Sequence, residues 1–362
     1  MRLNLLRNCF SEKERELVTY GTLQVTAFRY STGVEALKIQ NSKGYFVILP
    51  FQGQQVWRAH FLDRDLTMKG TIDEPNPTTE YLKTYGGFLY HCGVTSFGVP
   101  QQDDTHPLHG ETPNIPYQNA HLECGEDENG KYISVGGLLD YNIAFTRHYQ
   151  FQPECRLYEN ASTLKIDVTI ENLRTEPMEY MYLCHINFRP INGAELIYSA
   201  KKDGEHIKVH KRVADNVPPE QAKHLMDFMN QIQENPAVHD HIGAPGEIYD
   251  PEICFAIRYQ GDENKRAYTL QYEKGVGACY VSHPVDSLPL GVRWISRTGS
   301  EDAMGMILPA TAEHLGYSNA KRTGMVKTLK KGEPLHFSIE AGYVDNAQAQ
   351  KVIKKIEGIL GE

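Results

Sequence analysis

Residues 104–111 concentrate the side chains best suited to chemistry, because they read Asp-Thr-His-Pro-Leu-His-Gly-Glu and combine two imidazoles, two carboxylates and a hydroxyl. Pro107 and Gly110 exclude a helix and favour a loop. On a strand His106 and His109 would point to opposite faces, so a two-histidine metal site needs an irregular loop. A turn in which one histidine bonds the backbone explains the same residues equally well.

A second polar group follows the apolar segment 178–183. His185, Asn187 and Arg189 alternate along the chain, so a strand would place all three on one face. Polar side chains on a buried face are costly unless they are hydrogen-bonded, and a binding cleft supplies partners. The pattern therefore favours a cleft here, with a hydrogen-bonded structural histidine as the alternative.

A late carboxylate, Glu340, lies in a segment with the alternation of a strand. It shares a face with His336 and Ser338, and the opposite face carries Leu335, Phe337 and Ile339. Taken alone, this pattern favours a solvent-exposed face for Glu340.

The charge of the chain limits the kinds of molecule that it is expected to bind. The 362 residues carry a net charge of -9, which argues against nucleic acid or an anionic membrane surface and fits a neutral small molecule better. No apolar run has the length of a signal peptide or a membrane span. Seven cysteines, widely spread and without a CxxC pair, fit reduced thiols, so we expect a cytoplasmic protein.

Short alternating segments separated by turn residues dominate the chain and predict an all-β fold. Two segments differ: residues 217–235 have the apolar spacing of an amphipathic helix with a proline start, and residues 346–361 predict a C-terminal helix capped by Asn346. We expect one domain over residues 1–362, a large antiparallel β-sandwich with small helical additions.

Three segments together carry a family resemblance: Tyr85-Gly-Gly-Phe-Leu-Tyr-His-Cys-Gly93, His106-Pro-Leu-His-Gly-Glu111 and Met181-Tyr-Leu-Cys-His-Ile-Asn-Phe-Arg-Pro190. The chain resembles the aldose 1-epimerase (galactose mutarotase) superfamily, in particular its bacterial aldose 1-epimerase-like branch. The resemblance covers nearly the whole chain. It implies the antiparallel fold called a supersandwich.

The resemblance also implies roles. Leu108-His109-Gly110 matches the segment that supplies a substrate-binding histidine, and His185 is the counterpart of the general acid in a looser match. Glu340 corresponds in order to the general base. The implied reaction interconverts the α and β anomers of an aldose or sugar derivative, because the base takes the anomeric proton, the acid protonates the ring oxygen and the ring opens. The resemblance implies neither a metal nor a nucleotide cofactor.

The chain departs from the family pattern at one point. The Gly-Arg pair that binds sugar hydroxyls has no clean match before Val99, and His91 or Arg58 could replace it. Asn187 and Arg189 are further candidate sugar ligands, and Trp294 is a candidate platform for the apolar face of a sugar. The identity of the sugar is therefore open, as is the oligomeric state, for which a homodimer is one option.

Two other functions remain open at this stage. One is a sugar-binding protein that has kept the cleft and lost turnover. The other is a metal-dependent sugar isomerase or lyase of cupin-like type, for which the candidate ligands are His106, His109, Glu111 and His185.

Overall fold

A computed structural model describes residues 1–213, 217–243 and 247–361. Strands dominate this part of the chain. They are β1 Arg2–Asn4, β2 Arg15–Tyr20, β3 Leu23–Arg29, β4 Glu35–Asn41, β5 Gly44–Ile48, β6 Val56–Phe61, β7 Arg64–Asp65, β8 Leu89–Val94, β9 Asn119–Asp127, β10 Gly130–Ile143, β11 Arg147–Tyr158, β12 Thr163–Asn172, β13 Met178–Ile186, β14 Glu195–Tyr198, β15 Ile207–Val209, β16 Tyr249–Arg258, β17 Arg266–Glu273, β18 Gly277–Pro284, β19 Leu290–Arg297, β20 Asp302–Ala310, β21 Lys327–Leu329 and β22 Pro334–Asp345.

The strands form two large antiparallel sheets. The nine-stranded sheet has the order β1-β9-β10-β11-β12-β22-β18-β17-β14. The thirteen-stranded sheet follows β15-β16-β19-β20-β13-β8-β6-β5-β4-β3-β2, with β7 paired to β6 and β21 paired to β13. This architecture confirms the predicted all-β antiparallel sandwich. That the chain is a single domain stays a prediction.

Three α-helices lie within the described ranges: α1 Pro219–Glu234, α2 Gly316–Arg322 and α3 Asn346–Leu360. The first and third occupy the segments for which the sequence predicts helices, and α2 was not predicted. Asp345, rather than Asn346, caps α3, because its side chain accepts from the Gln348 backbone N–H while the Gln348 side chain accepts from the Asp345 N–H. No helix in the described ranges is long and apolar enough to cross a membrane.

The main core fills the space between the two sheets. Ile166 and Ile339 contribute to it from the nine-stranded sheet, and Tyr182 and Cys184 contribute from β13 of the other sheet. Leu183 belongs instead to a second apolar cluster, which includes Trp57, Tyr90, Leu308 and Trp294. Because successive residues of a strand point to opposite faces, this second cluster lies on the outer face of the thirteen-stranded sheet.

The face assignment of β22 can be tested by a pair of adjacent substitutions. Ile339→Ala should lower the free energy of unfolding by about 2–5 kcal/mol, because it removes a fully buried side chain between the sheets. Ser338→Ala, one residue earlier on the opposite face, should change it by less than about 0.5 kcal/mol. Urea unfolding of both variants measures the difference, and equal losses would contradict the assignment.

Candidate active site

Two histidines that are far apart in sequence meet on the outer face of the thirteen-stranded sheet. His185 lies at the end of β13, and His109 lies in the loop that follows the neighbouring strand β8. Their ring centroids are 5.1 Å apart. The structure thus brings together two of the residues that the sequence singled out.

The loop holds His109 in an unusual backbone conformation. His109 has φ of 62°, in the left-handed region, and Gly110 follows with φ of 83°. A Cβ on Gly110 would lie 2.1 Å from the Ser96 carbonyl oxygen, so only glycine fits there. The His109 N–H donates to the Gly98 carbonyl at 3.1 Å, and the Gly93 N–H donates to the His109 carbonyl at 3.2 Å. These contacts fix the direction of the His109 side chain.

Glu111 connects the same loop to both sheets by hydrogen bonds. Its carboxylate accepts from the N–H groups of Val94 and Thr95 at 3.0 and 2.9 Å, and from the Tyr149 hydroxyl of β11 at 2.6 Å. Burial raises the pKa of Glu111, and these hydrogen bonds oppose that rise. Glu111 therefore secures the loop and does not face His109.

His106 turns away from His109 as well. Its Nδ1 lies 2.8 Å from the Pro107 carbonyl oxygen, and its Nε2 accepts from the Tyr317 N–H of α2 at 3.3 Å. The four residues proposed as ligands for a cupin-like metal site therefore do not converge. Across residues 1–213, 217–243 and 247–361, no group of three or more histidine, cysteine or acidic side chains is arranged to hold a metal ion.

Aromatic side chains surround the two histidines. The Trp294 ring lies 5.4 Å from His185, the Tyr85 ring lies 5.8 Å from it, and the Tyr81 ring lies 5.0 Å from His109. Tyr85 is half-buried and so partly accessible, whereas Trp294 is only 8% exposed. Aromatic rings beside polar groups are suited to the mixed apolar and hydroxylated faces of a sugar.

Both imidazoles are neutral near pH 7. Burial lowers the pKa of His185 to about 4, although its hydrogen bond to Asn187 partly offsets the effect. Burial, together with the nearby His185, His314 and His106 rings, holds the pKa of His109 well below its usual range. A proton on one ring disfavours a proton on the other, so the pair is built to hold at most one.

Glu340 is not brought to this site. Its neighbours Ile339 and Ala341 point into the core between the sheets, so Glu340 points to the outer face of the nine-stranded sheet. There the Tyr280 hydroxyl donates to it at 3.2 Å. His185 lies on the outer face of the other sheet, so the expected acid–base pair of His185 and Glu340 does not form.

Two further candidate ligands are buried rather than presented to a cleft. His91 is 2% exposed, packs against Phe151 between the sheets and contacts the Tyr182 hydroxyl through Nδ1 at 2.7 Å. Asn187 is 0% exposed, and its side chain contacts His185. Neither residue is placed to touch a sugar.

The side chains of the two candidate arginines donate hydrogen bonds to backbone carbonyls, and neither contacts the histidine pair. Arg58 donates to the carbonyls of Gly86 and Asp73 at 2.9 and 2.6 Å, which braces the segment that carries Tyr85. Arg189 donates to the Thr67 carbonyl at 3.2 Å and lies 3.5 Å from the Asp65 carboxylate. Of the substrate-binding candidates, His109, Trp294 and the buried Asn187 lie beside His185.

The sequence did not point to Glu252, a carboxylate that contacts Trp294. Glu252 of β16 is exposed, and one of its oxygens accepts from the Trp294 indole N–H at 2.6 Å. The signal was the alternation of Glu252 and Cys254 in β16, which places both on the face that carries Trp294.

The sequence also did not point to a second polar group, which surrounds Glu313. Glu313 is buried next to the end of β20, and its carboxylate lies 2.8 Å from His210 Nε2 and 3.7 Å from Lys208 Nζ. The His210 interaction leads the effects that lower the pKa of Glu313. The His314 ring lies 5.8 Å from the His210 ring, burial lowers the pKa of His314 to about 4, and His314 in turn contributes to the lowered pKa of His109.

The buried state of His185 should make stability depend on pH. An unfolded histidine has a pKa near about 6.5, so between that pH and about 4 the unfolded chain binds a proton that folded His185 does not. Stability should therefore fall as the pH drops through this window, by roughly 2–3 kcal/mol from this residue. His185→Gln removes the titrating group and should lose less stability between about pH 7 and 4.5. Urea unfolding at both pH values is the measurement, and identical pH dependence in the two proteins would argue against a buried neutral His185.

Comparisons with family models and with solved structures identify the family and the fold of the chain. A family model described as a domain of unknown function (DUF4432) matches residues 31–342. No match was found among curated protein sequences. The structure of a "putative aldose 1-epimerase" from Klebsiella pneumoniae subsp. pneumoniae MGH 78578 superposes with a TM-score of 0.80 at 18% identity, over 96% of this chain and 91% of that chain.

Other solved structures are similar over nearly their whole length. A galactose mutarotase-like protein from Clostridium acetobutylicum has a TM-score of 0.58 at 14% identity, covering 92% of this chain and 98% of its own. These likenesses confirm the resemblance to the aldose 1-epimerase (galactose mutarotase) superfamily in fold. The chain therefore belongs to the family described as a domain of unknown function (DUF4432), and it has a galactose mutarotase-like β-sandwich.

Proposed function

We propose that the protein is an isomerase that interconverts the α and β anomers of an aldose or a related sugar by acid/base ring opening. One observation carries the proposal: His109 and His185, with rings 5.1 Å apart, meet beside Trp294 and Tyr85 on the outer face of the larger sheet. The galactose mutarotase-like fold of the chain supports a sugar as the ligand.

The reaction needs little machinery. The anomeric hydroxyl must lose its proton, the bond between the anomeric carbon and the ring oxygen must break, and the ring oxygen must gain a proton. The open aldehyde rotates about its bond to the next carbon, and closure gives the other anomer. Groups that transfer protons within hydrogen-bond reach contribute roughly 10²–10⁴-fold to such steps. The histidine pair supplies at least one such group, and the aromatic side chains would hold the apolar face of the sugar.

Glu252 is the carboxylate beside Trp294, whereas Glu340, to which the family resemblance assigns the general base, lies on the other sheet. Glu252 accepts from Trp294, and its negative charge is close enough to contribute to the raised pKa of Tyr85. An exposed carboxylate here can accept hydrogen bonds from sugar hydroxyls. It also favours positive charge that develops on His185 during proton transfer.

Anomer exchange in a panel of free aldoses, followed by saturation-transfer NMR, tests the function. His185→Ala and His109→Ala should each lower kcat/KM by about 10²–10⁴-fold for the sugar that wild type accepts. Glu340→Gln should leave the rate unchanged, since Glu340 lies on the other sheet. If wild type accelerates no sugar that it binds, a sugar-binding protein without turnover replaces this proposal.

The carboxylate can be tested by the same conservative change at two positions. Glu252→Gln keeps the size of the side chain but removes its charge, and it should lower kcat/KM by about 10-fold or more while Glu340→Gln does not. The measurement is initial anomerisation rate across sugar concentrations. A Glu252→Gln variant with wild-type kinetics would remove Glu252 from the site.

A further inference from the structure

Asn187 is fully buried behind His185 and is held in place from several directions. Its backbone N–H donates to the Phe88 carbonyl at 2.7 Å, and its carbonyl accepts from the Met68 N–H at 3.0 Å. Its side-chain Nδ2 donates to the Gly87 carbonyl at 3.0 Å. Its Oδ1 lies 2.6 Å from His185 Nδ1.

These contacts fix the orientation of the amide. The Gly87 carbonyl can only accept a hydrogen bond, so the NH₂ group of Asn187 must face it, and Oδ1 must face His185. Oδ1 in turn can only accept, and it also receives the Tyr85 hydroxyl at 3.3 Å. His185 Nδ1 must therefore carry a hydrogen. In a neutral imidazole the remaining nitrogen, Nε2, then holds a lone pair.

We propose that Asn187 is a positioning residue that fixes His185 as the Nδ1–H tautomer, so that His185 enters the reaction as a base through Nε2. The inference rests on the proposed anomerase function and deepens it. It reverses the role that the family resemblance implies, in which the histidine at this position starts as the acid.

The groups that face His185 are consistent with this role. His109 faces it from the loop after β8 and is neutral, because burial lowers its pKa. Tyr85 faces it from the segment before β8, and Trp294 from β19, with the Glu252 carboxylate behind the indole. With its own pKa lowered to about 4 by burial, His185 is unprotonated at neutral pH and ready to accept a proton.

A single imidazole then suffices for ring opening. Nε2 takes the proton from the anomeric hydroxyl, the bond between the anomeric carbon and the ring oxygen breaks, and its electron pair goes to the ring oxygen. The oxygen of the former hydroxyl becomes the aldehyde oxygen, and the imidazolium returns its proton to the ring oxygen. No proton or electron is gained or lost overall, and closure on the other face of the aldehyde reverses the steps.

The tautomer can be observed directly in ¹⁵N-labelled protein by two-bond ¹H–¹⁵N correlation spectra of the histidine rings, with His185→Gln used to assign the signals. At neutral pH we expect the pattern of the Nδ1–H form for His185 in wild type. The pattern of the Nε2–H form would overturn the inference. This readout needs no substrate, so it tests the inference even if the anomerase function fails.

Two substitutions of Asn187 distinguish a role in orienting His185 from a role in packing alone. Asn187→Asp keeps an acceptor at Nδ1 and adds negative charge, so it should keep the tautomer and raise the pKa of His185 by about 1–3 units. The acidic limb of the kcat profile should move to higher pH by a similar amount. An unchanged His185 pKa in this variant would contradict the role of Asn187.

Asn187→Leu removes the acceptor. His185 should then shift toward the Nε2–H form, and kcat should fall at least about 10-fold with less change in KM. Should the leucine variant not fold, the wild-type spectrum and the aspartate variant still decide the question. If wild type anomerises sugars but shows Nε2–H at His185, the proposed function stands and this inference does not.

Discussion

The alternation of strand residues between two faces is the constraint on which the rest of the structure depends. In β13, Tyr182 and Cys184 fill the core between the sheets, whereas Leu183 and His185 point outward. One strand thus stabilises the sandwich and builds the site at once. A shift of its pairing by one residue would turn His185 into the main core and Tyr182 to the outer face, so the hydrophobic core itself fixes the position of the histidine.

The same constraint explains why some of the site was predictable and some was not. Alternation and turn residues indicated the antiparallel sandwich, and the motif around His109 and the strand end at His185 marked the two histidines that meet. Alternation does not reveal which sheet a strand joins. The family resemblance made Glu340 a partner for His185, whereas its own pattern favoured an outer face, and that face belongs to the other sheet.

The pattern of residues along the chain also did not predict the roles of side chains that hydrogen-bond to the backbone or to distant side chains. Arg58 and Glu111 are polar residues near the site, but they secure segments that present Tyr85 and His109 rather than reaching a ligand. His91 lies one residue from Tyr90 and faces the opposite side of β8. Glu252 went unnoticed because its importance comes from Trp294, which is 42 residues away in sequence. Such relations exist only in the folded chain.

The choice of an amide rather than a carboxylate behind His185 has a chemical reason. A carboxylate at that position would stabilise the imidazolium and raise the pKa of His185, so a larger fraction of the rings would start protonated. Asn187 orients the ring without adding charge. Burial then keeps His185 neutral, and the adjacent His109 opposes a second proton on the pair. A site of this kind takes a proton only transiently, from a group held against it, and must return it soon after, which suits the exchange of one proton between two oxygens of the same sugar.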